Sequence, residues 1–295
     1  MVCYHPITAY RSATGRSSNG KWPIVFNPAH GFTDMPVTIP CGQCIGCRLE
    51  RSRQWAIRCV HEASLHSSNC FLTLTYSDEH LKSNSLIKRD LTLFFKRLRK
   101  VYGNGIRYYA CGEYGDLYSR PHFHVCLFGL DFADKKFYSL NHGFPLFNSE
   151  SLFSIWTYGY STIGAVTFES AAYVARYIMK KQLGKGAKDY YSSKGLVPEY
   201  TVMSRRPGIA RDWFLKYSSD VYPADEVVLR GMKLRPPRFY DLIYDLQSPT
   251  IFAKIKARRV KRALASTDND YDRRCVKETI KLRKLGMLLR PIERL

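Results

Sequence analysis

The sequence predicts an α+β fold, an antiparallel sheet with helices packed on it, followed by a helical, basic C-terminal extension. Three observations predict it. Segments with the alternation of strands and segments with the 3.6-residue period of helices follow one another in the order strand, helix, strand, strand, helix, strand, helix. The two middle strands are separated by one short turn-rich stretch, which makes them a hairpin and therefore antiparallel. A chain of 295 residues, 45% hydrophobic, is long enough to bury a core around such a sheet.

Residues 1–47 are rich in Gly, Pro, Ser and Asn without clear periodicity and read as an irregular arm. From Arg48 to about His66 the pattern is helical: Leu49, Trp55, Ile57, Cys59 and Val60 leave Arg48, Arg51, Arg53 and Arg58 largely on another face, either solvated or against nucleic acid. Cys70–Tyr76 is a central strand, Lys88–Lys100 an amphipathic helix with a basic end, and Ile106–Gly112 a second strand. The loop Glu113-Tyr114-Gly115-Asp116 leads into Arg120–Phe128, a strand opened by Pro121, where a missing amide is tolerated. After a polar, aromatic loop come a short helix Ser149–Trp156, a strand Tyr160–Thr167 and a helix Glu169–Gln182. This succession is close to a ferredoxin-like arrangement with its helices on one face of the sheet.

Beyond Leu183 a flexible basic loop precedes a strand Tyr200–Met203, and Ser204-Arg205-Arg206-Pro207-Gly208 reads as a helix start able to hold a phosphate. From about Val221 the chain is helical and basic, with runs Lys254–Arg262 and Lys277–Arg290 interrupted at Ser266–Asp270. The domain division that follows is 1–47, 48–220 and 221–295.

The net charge of +21 implies an anionic partner. With 21 tyrosines interleaved among the basic residues, stacking on unpaired bases favours nucleic acid over a membrane surface. The uncharged run Ser151–Phe168 is interrupted too often by polar residues to insert in a membrane, and the N-terminus lacks the apolar core of a signal peptide. A reducing, intracellular location is expected, where nine cysteines are ligands or buried thiols sooner than disulfides. The sequence contains no Walker phosphate loop, which excludes an ATP-driven motor of that kind.

Two sets of residues carry metal chemistry. Cys41, Cys44 and Cys47, with glycines between them, allow tight turns through which sulfurs converge, and Cys3 is available as a fourth ligand. The candidates are a structural four-thiolate Zn2+ site, preferred, an iron–sulfur cluster, or unligated thiols. The second set is His122 and His124, which alternation places on one strand face, with Phe123, Val125 and Leu127 on the other. Glu113, nine residues before His122 in the closing loop, can swing toward them. One carboxylate and two imidazoles leave positions open for phosphate oxygens and suit Mg2+ or Mn2+. Further on, Tyr173 and Tyr177 stand one turn apart on a helix, and Lys180 or Lys181 continues that face.

In this order, Glu113, His122-Phe123-His124 and Tyr173-x-x-x-Tyr177-x-x-Lys180 resemble the HUH (His-hydrophobe-His) rolling-circle replication initiators. The two-tyrosine spacing is most similar to the initiators of the microviruses, and Cys41–Arg48 narrows the resemblance to the gokushovirus-like branch. The resemblance covers roughly residues 40–215. It implies an HUH endonuclease core with Glu113, His122 and His124 as ligands of Mg2+ or Mn2+. Tyr173 or Tyr177 would be the nucleophile, assisted by Lys180, with Arg120, Arg176, Lys181, Arg205 and Arg206 contacting DNA. It further implies nicking of origin DNA, single- and double-stranded, in the cytoplasm of a host bacterium, with a host helicase and a host DNA polymerase as partners. In one-tyrosine relatives a lysine follows the nucleophile by three positions, which Tyr177 and Lys180 satisfy and Tyr173, followed by Arg176, does not. The competing expectation is a non-catalytic single-stranded nucleic-acid-binding protein on the same sheet, its histidines structural.

Overall fold

A computed structural model describes residues 3–18, 20, 22–115, 118–141, 143–175, 181–184, 186–268 and 270–287. The chain divides into two compact units, Met1–Glu50 with Lys261–Leu288, and a larger one built on Arg51–Val260.

The larger unit is organised on a seven-stranded antiparallel sheet. Its strands are β4 (Asn69–Tyr76), β5 (Arg107–Tyr114), β6 (Pro121–Phe128), β7 (Lys136–Asn141), β8 (Phe144–Asn148), β9 (Gly159–Gly164) and β10 (Tyr200–Met203), in the order β10-β5-β6-β4-β9-β8-β7. The segment expected as a polar, aromatic loop is the β7–β8 hairpin. Its side chains are mostly exposed, Phe137, Tyr138 and Leu140 among them, so no apolar alternation announces it in the sequence.

Helices cover both faces of the sheet, which corrects the expectation of one. The reason is legible in β4: Cys70 to Leu74 are buried without interruption, so neither face of that strand meets water. On one face Leu72, Leu74, Phe123, Val125 and Leu127 pack with Leu91, Phe94 and Leu98 of α2 (Lys88–Tyr102) and with Leu152 and Ile155 of α3 (Glu150–Ile155). On the other, Phe71, Tyr109, Cys111, Cys126 and Phe128 pack with Ala56, Ile57 and Cys59 of α1 (Ile45–Ala63) and with Ala171 and Val174 of α4 (Phe168–Ala175). Phe214, Tyr240, Phe252 and Ile255 join this second cluster, so helices beyond residue 221 share the core of the sheet. Between them lies a hairpin, β11 (Val227–Leu229) and β12 (Met232–Leu234), where a helix was expected.

The helix expected over Glu169–Gln182 is observed over Phe168–Ala175. Lys181 and Gln182 are not helical, and the amide of Gln182 donates to the hydroxyl of Tyr191 at 2.9 Å. Residues expected as a flexible basic loop include a short helix, Ala187–Ser193. No helix begins at Ser204; residues 205–210 are turns, and the helix Arg211–Val221 follows. The arginines of α1 are also spent internally. Arg58 lies over the rings of Trp55 and Phe239 and donates to the carbonyl of Ile209, and Arg53 donates to the carbonyl of Arg235.

In the smaller unit the supposed irregular arm is a three-stranded antiparallel sheet of β1 (Ile7–Ser12), β2 (Ile24–Val25) and β3 (Gly31–Ile39), ordered β2-β1-β3. β3 carries Asp34 and Pro36 and buries none of its residues fully, which removes the periodicity that marks a strand. The helix Tyr271–Gly286 belongs to this unit, with its first turn capped by the Asp270 carboxylate, which accepts from the Arg273 amide at 2.8 Å. Among the described residues no helix is long and apolar enough to cross a membrane.

Candidate metal centre and nucleophile

The centre is built across the hairpin of β5 and β6. Register pairs Glu113 with His122 and Cys111 with His124, so both imidazoles and the carboxylate emerge on one face. Glu113 is the last residue but one of β5, not part of a loop, and its side chain needs no swing to reach the histidines. Its Oε1 lies 3.3 Å from His122 Nε2 and 3.5 Å from His124 Nε2. The opposite-facing Phe123, Val125 and Leu127 anchor the strand in the core, as alternation requires.

Each imidazole is oriented through its other nitrogen. His122 Nδ1 lies 3.0 Å from the carbonyl of Arg120, and His124 Nδ1 lies 3.1 Å from Thr73 Oγ1 on the neighbouring β4. With Nδ1 as the proton donor in both, the two Nε2 atoms are left as electron-pair donors facing Glu113. Phe71 stacks on His124 with ring centroids 5.5 Å apart. Thr73 and Phe71 were not singled out in the sequence; their signal is the β4 row that pairs Thr73 with His124 and Thr75 with His122.

Glu113 and His124 are each 1% exposed, whereas His122 opens toward solvent. Burial works against a charged Glu113. Hydrogen bonds and charge from His122 and His124 outweigh it and hold the carboxyl well below the usual carboxylate range. One carboxylate oxygen and two imidazole nitrogens, all within 4.8 Å of one another, form a donor set that fits a divalent cation with coordination positions to spare.

The nucleophile expected at Tyr173 is at this centre. α4 crosses the histidine face, and the Tyr173 hydroxyl donates to Glu113 Oε1 at 2.7 Å while its ring stands edge-on to His124, centroids 4.8 Å apart. Tyr177, Lys180 and Arg176 lie outside the described residues. Lys181 is half-buried. Arg120 holds the carbonyl of Tyr76 and the carboxylate of Asp78, fixing the start of β6. Arg205 and Arg206 are exposed and line an open basic groove with Arg99, Asn104, Arg107 and Ser204. Beside the centre, a largely apolar hollow of about 60 Å³ is lined by Phe71, Thr73, Phe144, Leu146, Gly164 and Ser170.

A second donor set lies in the smaller unit, where Cys3, Cys41, Cys44 and Cys47 bring four sulfurs within 4.8 Å of one another. Burial opposes ionisation of Cys44, but amides of Tyr4 and Cys47 directed at its sulfur bring the thiol down to about 7.

A buried carboxylate–imidazole centre on an antiparallel sheet, with a helix-borne phenol hydrogen-bonded to it, defines a metal-ready tyrosine site. The family model for replication-associated proteins of the ORF2 type matches residues 69–182, the span that supplies every one of these groups. The chain is 36% identical over 260 residues to replication-associated protein VP4 of Bdellovibrio phage phiMH2K, covering 84% of this chain and 79% of that protein. It is 37% identical over 263 residues to replication-associated protein ORF2 of Spiroplasma virus 4, covering 82% and 79%. Similarity extends to replication-associated protein ORF4 of Chlamydia phage 1, at 29% over 229 residues, covering 74% of this chain and 57% of that protein. The chain belongs to the replication-associated proteins of the microviruses. No solved structure gives a significant match.

Proposed function

We propose that the protein initiates rolling-circle replication of a single-stranded DNA phage by nicking one origin strand through a tyrosine of an HUH endonuclease core. The observation that carries this reading is the Tyr173 hydroxyl, 2.7 Å from a carboxylate that also faces His122 and His124. The strand order β5-β6-β4-β9, with α2 between β4 and β5, supports a ferredoxin-like core of the HUH kind.

Glu113, His122 and His124 would hold Mg2+ or Mn2+, which when bound supplies Lewis acidity to the scissile phosphate. Glu113, kept ionised by its histidines, accepts the Tyr173 hydroxyl and fixes the phenol oxygen over the histidine face. The phenol oxygen attacks phosphorus, the P–O3′ bond breaks, and a 5′-phosphotyrosyl link and a 3′-hydroxyl result. A host polymerase extends that hydroxyl and a host helicase unwinds the duplex. Because the link conserves the phosphodiester energy, a second attack circularises the displaced strand without ATP, with Tyr177 as the second phenol and Lys180 as a cation for either. The hollow beside Phe71 and Thr73 suits an unstacked base next to the scissile phosphate. Arg205 and Arg206 supply backbone contacts, with Arg176 and Lys181.

The test is incubation of the full chain with single-stranded oligonucleotides tiling a microvirus genome, in Mn2+. A denaturant-resistant protein–DNA adduct is expected on origin-bearing oligonucleotides and is expected to vanish in the Tyr173→Phe, Tyr177→Phe double variant. An adduct that persists in the double variant, or none on any oligonucleotide, overturns the reading.

A further inference from the structure

We infer that Cys3, Cys41, Cys44 and Cys47 bind one Zn2+ as a closed four-thiolate site, and that this ion supplies much of the folding energy of the smaller unit. Geometry decides between the candidate occupants. Four sulfurs around one zinc, each at about 2.3 Å, are separated by about 3.8 Å along the edges of a tetrahedron. Cys3 Sγ lies 3.5 Å from Cys41 Sγ and 3.9 Å from Cys44 Sγ, and the whole set spans no more than 4.8 Å. An iron–sulfur cluster places several irons and sulfides between its cysteines and needs them much farther apart.

The backbone is arranged for thiolates. The amide of Cys41 donates to Cys3 Sγ at 3.2 Å and that of Tyr4 to Cys44 Sγ at 3.4 Å. Cys41 Sγ accepts from the amides of Gln43 and Cys44, at 3.5 and 3.3 Å. Such N–H···S bonds stabilise negative sulfur and orient it, as partners outside the coordination sphere do at metal sites. The four cysteines come from the segment before β1, the segment after β3 and the first turn of α1. One ion therefore joins both ends of the small sheet to the start of the helix.

The unit needs such a joint. Among its described residues only Cys3, Ala9 and Ile45 are buried hydrophobics, whereas both hydrophobic clusters of the protein lie within residues 51–260. A sheet with so little apolar burial does not offset its conformational entropy by packing, and small units in that position are held by metals or disulfides.

The experiment uses the full chain carrying His122→Ala and His124→Ala, so that zinc at the other centre does not confuse the count. After purification without chelators, metal analysis is expected to give one zinc per chain. A mercurial thiol reagent in the presence of a chromogenic chelator should release it, and Cys44→Ser should lower the ratio toward zero. Cobalt exchanged into the same protein should show thiolate-to-cobalt charge transfer and the strong visible bands of a tetrahedral sulfur field, a readout that needs no cysteine variant to fold. On zinc removal, amides of β1 and β3 should lose hydrogen-exchange protection while those of β4 and β6 keep theirs. The inference is overturned by iron with sulfide, by a Cys3–Cys41 disulfide, by a zinc ratio near zero, or by β1 and β3 protection that survives zinc removal. None of these outcomes bears on adduct formation, so the nicking reading stands or fails separately.

Discussion

Thr73→Val perturbs the metal centre without touching a ligand. Thr73 Oγ1 is the partner of His124 Nδ1 at 3.1 Å, and the threonine is 7% exposed, so no water replaces it at little cost. Valine keeps the shape and the strand preference of threonine but accepts no hydrogen bond. His124 then loses the partner that fixes its tautomer and turns Nε2 toward Glu113. Removing a partner of this kind lowers metal affinity about 10–100-fold, or about 1.4–2.7 kcal/mol. Stability should fall by about 1–3 kcal/mol, the usual cost of a buried donor left without its acceptor. The assay is Mn2+ titration followed by loss of the free-ion paramagnetic resonance signal, alongside denaturant unfolding and the adduct assay. Thr73→Ser, which keeps the acceptor, should stay close to the parent in Mn2+ affinity. Unchanged Mn2+ affinity in Thr73→Val would refute the orienting role. Equal loss in Val and Ser would assign the effect to packing instead.

Three further outcomes are expected. His61, buried against Trp213 and 2.8 Å from the hydroxyl of Tyr240, is held down to about 4 by burial. The unfolded chain therefore takes up that proton first, and stability present above pH 6.5 falls as pH drops toward 4, by about 3 kcal/mol in all; denaturation at both ends of that range should show His61→Phe losing this part of the pH dependence. Replacing Arg205 and Arg206 by alanine should weaken single-stranded DNA binding uniformly across sequences and reduce the slope of log affinity against log salt by about 1.4, roughly 0.7 per phosphate contact; an unchanged slope in a salt series would remove both from the DNA path. Phe144→Ala, at a residue 45% exposed on the rim of the apolar hollow, should cost about 1–3 kcal/mol of oligonucleotide affinity, measured by anisotropy, and leave Mn2+ affinity intact.

Much of the centre is legible in the sequence because it depends on local periodicity. Pleating alone puts His122 and His124 on one face, whatever the rest of the fold does, and the helical period singles out Tyr173. The large antiparallel sheet is legible for the same reason, since its strands are bounded by turn residues and carry strong apolar patterns. The small sheet and the β7–β8 hairpin are not, because they bury too little apolar surface to leave an alternation. The coverage of both sheet faces is present only as the unbroken burial of Cys70 to Leu74.

What tertiary structure alone decided is which distant groups meet. The β5–β6 register brings Glu113 opposite His122, where the sequence shows only a carboxylate nine residues upstream. The packing of α4 on that face carries the Tyr173 hydroxyl to the same carboxylate, a contact 60 residues long in sequence. It also consumes Arg58 and Arg120 in internal bonds, although composition marks both only as positive charge. Side-chain type and periodicity are properties of the chain itself. Register, burial and the pairing of remote charges arise only when segments compete for the same interior, and they turn a histidine pair into a centre that can hold a phosphate beside a phenol.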